Sequence, residues 1–205
     1  MAYVLVTGAT GGLGKEFCRQ LCKTYDLFLT GRSEEKLKAL SDELGKLTDR
    51  RIEYGAMNLI DQDDRERFFK DIDGRGIRFS GLINVAGVDT QKEFMKYTED
   101  KIVFQVRVNL EATLSITRSA LARRDDSRFQ LLTVSSMSGT TYMPYFAIYS
   151  ATKGALISFF TSLRYEVSNA NITILAPGGI PTRPDIIRDI EIQGTTGRLS
   201  AKPFI

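Results

Sequence analysis

Tyr3-Val4-Leu5-Val6-Thr7-Gly8-Ala9-Thr10-Gly11-Gly12-Leu13-Gly14 stands almost at the start of the chain. An apolar run leads straight into a cluster of glycines. The run reads as a buried strand, and the glycines as a tight turn into a helix over 13–23, where Leu13, Phe17 and Leu21 recur at helical spacing. Glycines at 8, 12 and 14 permit sharp turning and bring backbone amides close to a phosphate. Two other phosphate motifs fail here. A P-loop needs four residues between its first glycine and Gly-Lys-Ser/Thr, whereas five separate Gly8 from Gly14 and Lys15 is followed by Glu16. The G-x-G-x-x-G fingerprint would need glycine at Phe17.

Beyond the turn, short apolar runs alternate with helical patterns. Strands are expected at 27–30 (stopped by Gly31), 52–57, 81–85 (ended by Ala86-Gly87), 129–135 and 172–176 (closed by Pro177-Gly178). Helices are expected from Ser33 to about 47, over 63–72, 98–121 and 149–168. Ser33 with Glu34 and Glu35 behind it suits a helix start, because a hydroxyl caps free amides and carboxylates match the dipole. Six strands interleaved with helices predict an α/β fold: a doubly wound, Rossmann-like parallel sheet in three α/β/α layers. Ligands of such sheets bind beyond the carboxyl ends of the strands. Neither repeat nor linker interrupts the pattern, so residues 1–205 read as a single domain.

Composition removes several function classes. With 205 residues, 42% hydrophobic and 26% charged, the balance is that of an ordinary globular domain. A net charge of +3 without an aromatic-basic array argues against nucleic acid. No run reaches membrane-spanning length, and the early strand leaves no room for a signal peptide. Cys18 and Cys22, at i, i+4 spacing, read as buried thiols in a reducing cytoplasm. The chain has no histidine, which excludes Ser-His-Asp hydrolysis and His-ligated metal catalysis; no metal site is expected.

The chemistry-bearing residues lie where strands should end. After the second strand comes Thr30-Gly31-Arg32-Ser33. A carboxylate there would accept from a ribose 2′-hydroxyl. Arg32 cannot accept, but its fork suits a phosphate, and Ser33 adds a donor. Ser136 should end the fifth strand. Tyr149 and Lys153, four residues apart, share one helix face. A phenol is a weak acid at neutral pH, and an ammonium beside it favours its ionised form. Such a tyrosine can give a proton to a carbonyl oxygen or take one from an alcohol, while Ser136 donates to the same oxygen. A second Tyr-x3-Lys pair, Tyr97 and Lys101, has Asn84 rather than serine at the corresponding upstream position. Phosphate turn and tuned hydroxyl together read as hydride transfer between a nicotinamide and a carbonyl or alcohol.

At these residues the chain resembles the short-chain dehydrogenase/reductase family, over about Tyr3 to Thr182. The resemblance assigns Thr7, Gly8, Thr10, Gly11, Gly12, Leu13 and Gly14 to the cofactor turn, and Asn58 and Leu59 to its adenine side. Asn84-Val85-Ala86-Gly87 is similar to the family's Asn-Asn-Ala-Gly, and Asn109 to its helix asparagine, which holds a water in a proton relay to the lysine. Ser136, Tyr149 and Lys153 match the catalytic set. Pro177-Gly178-Gly179-Ile180-Pro181-Thr182 is similar to the segment that contacts the nicotinamide amide. Arg32 is similar to the arginine of NADP-preferring members, so NADP(H) is the expected cofactor, with NAD(H) as the alternative. The implied partner is a small carbonyl or alcohol substrate, made lipophilic by Met137, Thr140, Tyr142, Met143 and Phe146, and the implied assembly a homo-oligomer. The chain departs from the pattern at Asn58, where many members carry aspartate, in a shorter stretch before the sixth strand, and in having only Arg183 to Ile205 after Thr182. Family members continue there through a substrate-covering segment and a seventh strand, so the chain is natively short, truncated or lacking a tail. A non-catalytic NADP(H)-sensing protein and a scaffold subunit are the alternative readings.

Overall fold

β1 (Ala2–Thr7) lies inside the sheet, with residues 3–7 all buried. The computed structural model describes residues 2–180. After β1 the chain runs through α1 (Gly12–Leu21), β2 (Leu27–Gly31), α2 (Glu34–Leu44), β3 (Ile52–Ala56), α3 (Gln62–Gly74) and β4 (Arg78–Asn84). It continues with α4 (Glu99–Val106), α5 (Ala112–Leu121), β5 (Phe129–Val134), α6 (Ala147–Glu166) and β6 (Ala170–Leu175). The six strands form one parallel sheet in the order β3-β2-β1-β4-β5-β6. The chain therefore winds outward from β1 to β3, then returns to lay β4 on the other side of β1. Thr7 is in register with Thr30 on one side and Asn84 on the other, so three strands end together at this reversal. That is the place where doubly wound sheets open a crevice.

Both faces of the sheet are covered, which is why the strands read as continuous apolar runs rather than alternating ones. Alternate β1 residues supply two cores. Tyr3 and Leu5 pack with Phe68, Phe69, Ile72, Ile116, Leu156 and Phe160 of α3, α5 and α6. Val4 and Val6 pack with Cys18, Leu37 and Leu40 of α1 and α2. The cysteines are buried free thiols, and burial pushes the Cys18 pKa up to about 12. Ser33 caps α2 by accepting from Lys36 N at 3.3 Å, with Glu34 and Glu35 in the first turn. Asp61 caps α3 by accepting from Asp64 N at 3.0 Å.

The helix expected over 98–121 is interrupted. Between α4 and α5, residues Arg107–Glu111 form a π-helical turn. Apolar periodicity does not register such an insertion, because the helix continues on both sides with its buried face almost in phase. Strands β4 and β6 begin earlier than expected, and α6 begins at Ala147, which puts Tyr149 in its first turn. Among the described residues, no helix is long and apolar enough to cross a membrane.

Candidate active site

The strand ends open into a cavity of about 1110 Å³. Its glycine-lined end is built from main chain. Gly8 has φ +64°, and a Cβ there would come within 2.8 Å of the Ala86 backbone. A Cβ on Gly14 would lie 2.2 Å from the Gly8 carbonyl oxygen. Side chains are thus shut out of the turn, and strand, turn and helix pack backbone to backbone. Gly11 N donates to Gly8 O at 3.0 Å. Gly11 also stands at the N-cap of α1, where no side chain caps the helix and no acid occupies the first turn. Uncapped amides at a helix start leave donors for an anion. Thr10, Gly11, Gly12, Leu13 and Gly14 all line the cavity, so the turn fits a pyrophosphate.

The adjoining walls carry the rest of the nucleotide-side candidates. Arg32, exposed, and Asn58 and Leu59 line the cavity. Asn58 N donates to Asp64 Oδ2 at 2.6 Å, and Arg65 donates to the Leu59 carbonyl, so the loop is held from α3. Ala86 and Gly87 line it from the end of β4, as do Pro177, Gly178 and Ile180 after β6. Thr182 lies outside the described residues. Thr7, Ser33 and Asn84 stand behind the surface. The Thr7 hydroxyl accepts from Val85 N and Ala86 N at 3.2 and 3.4 Å, Ser33 is the α2 cap, and Asn84 donates to Thr117 Oγ1 at 3.0 Å.

Ser136, Tyr149 and Lys153 line the opposite end of the same cavity. Ser136 follows β5 directly, and its oxygen accepts from Ser138 N at 3.2 Å, which leaves its proton to be directed outward. Lys153 is buried beneath Tyr149, with Nζ 5.6 Å from the phenol ring centroid. The ammonium donates to Val134 O at 2.8 Å. Burial lowers the Lys153 pKa from 10.5 to about 8, and the charge of Asp89, also on the cavity wall, opposes that fall. Phe146 stacks at a tilt on the Tyr149 ring, with centroids 5.9 Å apart.

Asn109 does not reach the cavity surface; it is fully buried in the π-helical turn. Its side chain accepts from Val88 N at 2.8 Å and donates to Val88 O at 2.9 Å and to Thr152 Oγ1 at 3.1 Å. Thr152 in turn donates to the Tyr149 carbonyl at 2.8 Å. The side chain thus clamps the loop after β4 to the first turn of α6. A proton relay through Asn109 would use its main chain.

Several supporting residues escape a sequence reading. The buried Ser135 hydroxyl donates to Lys153 O at 2.8 Å. The short 3₁₀ turn Met137–Gly139 sits on α6, and a Cβ on Gly139 would come within 2.8 Å of Gly154 N and the Lys153 carbonyl carbon. Met137 N donates to Pro177 O at 3.0 Å, tying this turn to the segment after β6. The Ser-Ser-Met-Ser-Gly run around Ser136 was the available signal for these contacts. Of the expected apolar wall, Met137, Tyr142, Met143 and Phe146 line the cavity, joined by Val88, Phe104 and Val108.

Known proteins share both the sequence pattern and the fold. Residues 2–187 match the family described as short chain dehydrogenase, and the chain belongs to that family. It is 29% identical over 195 residues to the 11-beta-hydroxysteroid dehydrogenase-like 4A protein of Arabidopsis thaliana, covering 91% of this chain and 64% of that protein. With a 3-oxoacyl-(acyl-carrier-protein) reductase of Aquifex aeolicus it shares 28% identity over 193 residues, covering 92% and 78%. Among solved structures, the 3-oxoacyl-(acyl-carrier protein) reductase of Brucella melitensis with bound NAD superposes with a TM-score of 0.81 at 25% identity, covering 94% of this chain and 76% of that one. The alcohol dehydrogenase of the archaeon Thermococcus sibiricus complexed with 5-hydroxy-NADP gives a TM-score of 0.82 at 23% identity, covering 89% and 78%. The chain therefore spans just under two thirds of the plant relative's length.

Proposed function

We propose that the chain is an NADPH-dependent oxidoreductase that reduces a ketone or aldehyde, or oxidises the corresponding secondary alcohol, with Tyr149 as general acid and base. The observation that carries this reading is the presence of Ser136, Tyr149 and Lys153 on the wall of the cavity that the glycine turn opens into. When bound, the nicotinamide supplies or accepts the hydride. Tyr149 gives its proton to the developing alkoxide in reduction and takes one from the alcohol in oxidation. Ser136 donates to that oxygen and fixes its position. Lys153 stays cationic below about pH 8 and, lying against the phenol ring, favours the phenolate and holds the nicotinamide ribose. The main chain at Asn109 anchors the relay water.

Arg32, on the cavity wall with no ion-pair partner among the described residues, supports NADP(H) over NAD(H). Val88, Phe104, Val108, Met143 and Phe146 support a lipophilic carbonyl substrate. One domain, cytoplasmic residence and a homo-oligomer complete the reading; Phe94, Val103 and Val106 leave an apolar face exposed beside α4 that suits a second copy. The test is a titration with NADPH and NADH separately, followed by a survey of carbonyls and alcohols. We expect NADPH to bind about 10-fold more tightly, one charge-assisted contact, and Arg32→Ala to erase the difference. Tighter NADH binding overturns the cofactor choice. Tight NADPH binding without turnover of any carbonyl or alcohol favours the sensor reading.

A further inference from the structure

The buried stripe of α3 is Arg65, Phe68, Phe69 and Ile72, at i, i+3, i+4 and i+7. Helical periodicity asks for an apolar side chain at its first place. A guanidinium stands there instead, only 5% exposed. One arm donates to the Leu59 carbonyl, in the loop that walls the nucleotide end of the cavity. The other donates to Glu111 Oε1 at 2.7 Å, at the end of the π-helical turn. Glu111 is approached from its other side by Arg107 Nε at 3.6 Å. Among the described residues, Arg65 Nε has no hydrogen-bond partner.

Burying a cation with one donor unpaired is a poor way to gain stability, and an apolar residue would fill the stripe at lower cost. What the guanidinium gives instead is a fixed separation between two segments remote from each other in sequence. One is the wall at Asn58 and Leu59. The other is the turn that carries Asn109, whose side chain reaches Val88 and, through Thr152, the carbonyl of Tyr149. Breaking a local rule at a place that joins two parts of a site is the pattern expected of a positioning group.

We propose that Arg65 is a positioning residue that ties the nucleotide-side wall at Leu59 to the π-helical turn carrying Asn109. Its two arms have separable effects. Cutting the Glu111 arm loosens the turn and slows chemistry. Cutting both arms also loosens the nucleotide wall. The inference rests on the proposed oxidoreductase reading for its kinetic arm only.

The experiment compares the full chain with Arg65→Met, Glu111→Ala and the double variant, by NADPH titration, steady-state kinetics and hydrogen exchange over 107–111. Arg65→Met fills the apolar stripe and keeps the comparison decidable should Glu111→Ala, which strips the buried guanidinium of its carboxylate, fold poorly; Glu111→Ala itself removes only a half-exposed carboxylate. We expect it to speed exchange over 107–111 and lower kcat about 10-fold, the worth of one charge-assisted hydrogen bond, with NADPH affinity unchanged. Arg65→Met should show both effects and weaken NADPH binding as well, and the double variant should match Arg65→Met. The proposal is overturned if these variants lower the melting temperature while exchange over 107–111, NADPH affinity and kcat stay as in the parent. If the parent chain neither binds NADPH nor turns over a substrate, the oxidoreductase reading fails, and faster or unchanged exchange over 107–111 still decides for or against the tie.

Discussion

At its glycine-lined end the cleft is made of backbone: Gly8 and Gly14 bring main-chain atoms so close that a Cβ has no room, and the α1 start carries no side-chain cap. At the reacting end it is made of side chains: Ser136, Tyr149 and Lys153, steadied by Ser135, Thr152 and Asn109. Under the proposed function the first end would recognise phosphate, which every dinucleotide carries, so its chemistry needs only shape and a row of donors. The second would move one proton at one oxygen, which needs particular pKa values in a particular arrangement. Backbone sites fail when an atom is added. Side-chain sites fail when an atom is removed.

Removing the Tyr149 hydroxyl should therefore separate the two ends most widely. Tyr149→Phe is expected to lower kcat about 10³-fold, the scale of a lost general acid, while NADPH affinity holds. A comparable loss of affinity in the titration would show that the ends are not independent.

Adding one methyl at the other end is the converse. Gly14→Ala puts a Cβ 2.2 Å from the Gly8 carbonyl oxygen, and we expect NADPH affinity to fall about 10²-fold, the upper range for overpacking. Unchanged affinity, measured by the same titration, would mean that the turn has slack and that its backbone packing does not set recognition.

The smallest effect is in pH dependence. The Lys153 pKa in the folded chain, about 8, lies below the ordinary 10.5, so between these values the unfolded chain holds a proton that the folded chain has released. Stability from this group therefore rises with pH across that window, and the cost of the buried charge is fully present below pH 8. Relative to Lys153→Met, the parent should gain about 1 kcal/mol between pH 7 and pH 9 in urea unfolding. Parallel curves would show that Lys153 is better solvated than its burial implies.

The contrast between the two ends also explains what could be read from sequence. The succession of strands and helices, a parallel sheet with helices on both faces, and the glycine turn were legible, because apolar runs, helical spacing and Gly8-x3-Gly12-x-Gly14 are local patterns. Ser136, Tyr149 and Lys153 were legible through their spacing relative to strand and helix ends. Their supports were not. The link from Asn109 to Thr152 spans 43 residues, and that from Arg65 to Glu111 spans 46, so neither leaves a local trace. Arg65 did leave an indirect one, a cation where the α3 stripe calls for an apolar residue. The π-helical turn left none, since the buried positions Gln105, Val108, Asn109, Ala112, Thr113 and Ile116 keep ordinary helical spacing through it.

The contact of Gly139 against the main chain at Lys153 and Gly154 bears on how such a site can change. Because this seat is backbone on backbone, the spacing between the ends of β5 and α6 does not depend on which side chains furnish the pocket. Met137 and Tyr142, both exposed, can be exchanged without moving it. A library that varies those two positions and spares Gly139 would explore new substrates on a constant catalytic frame.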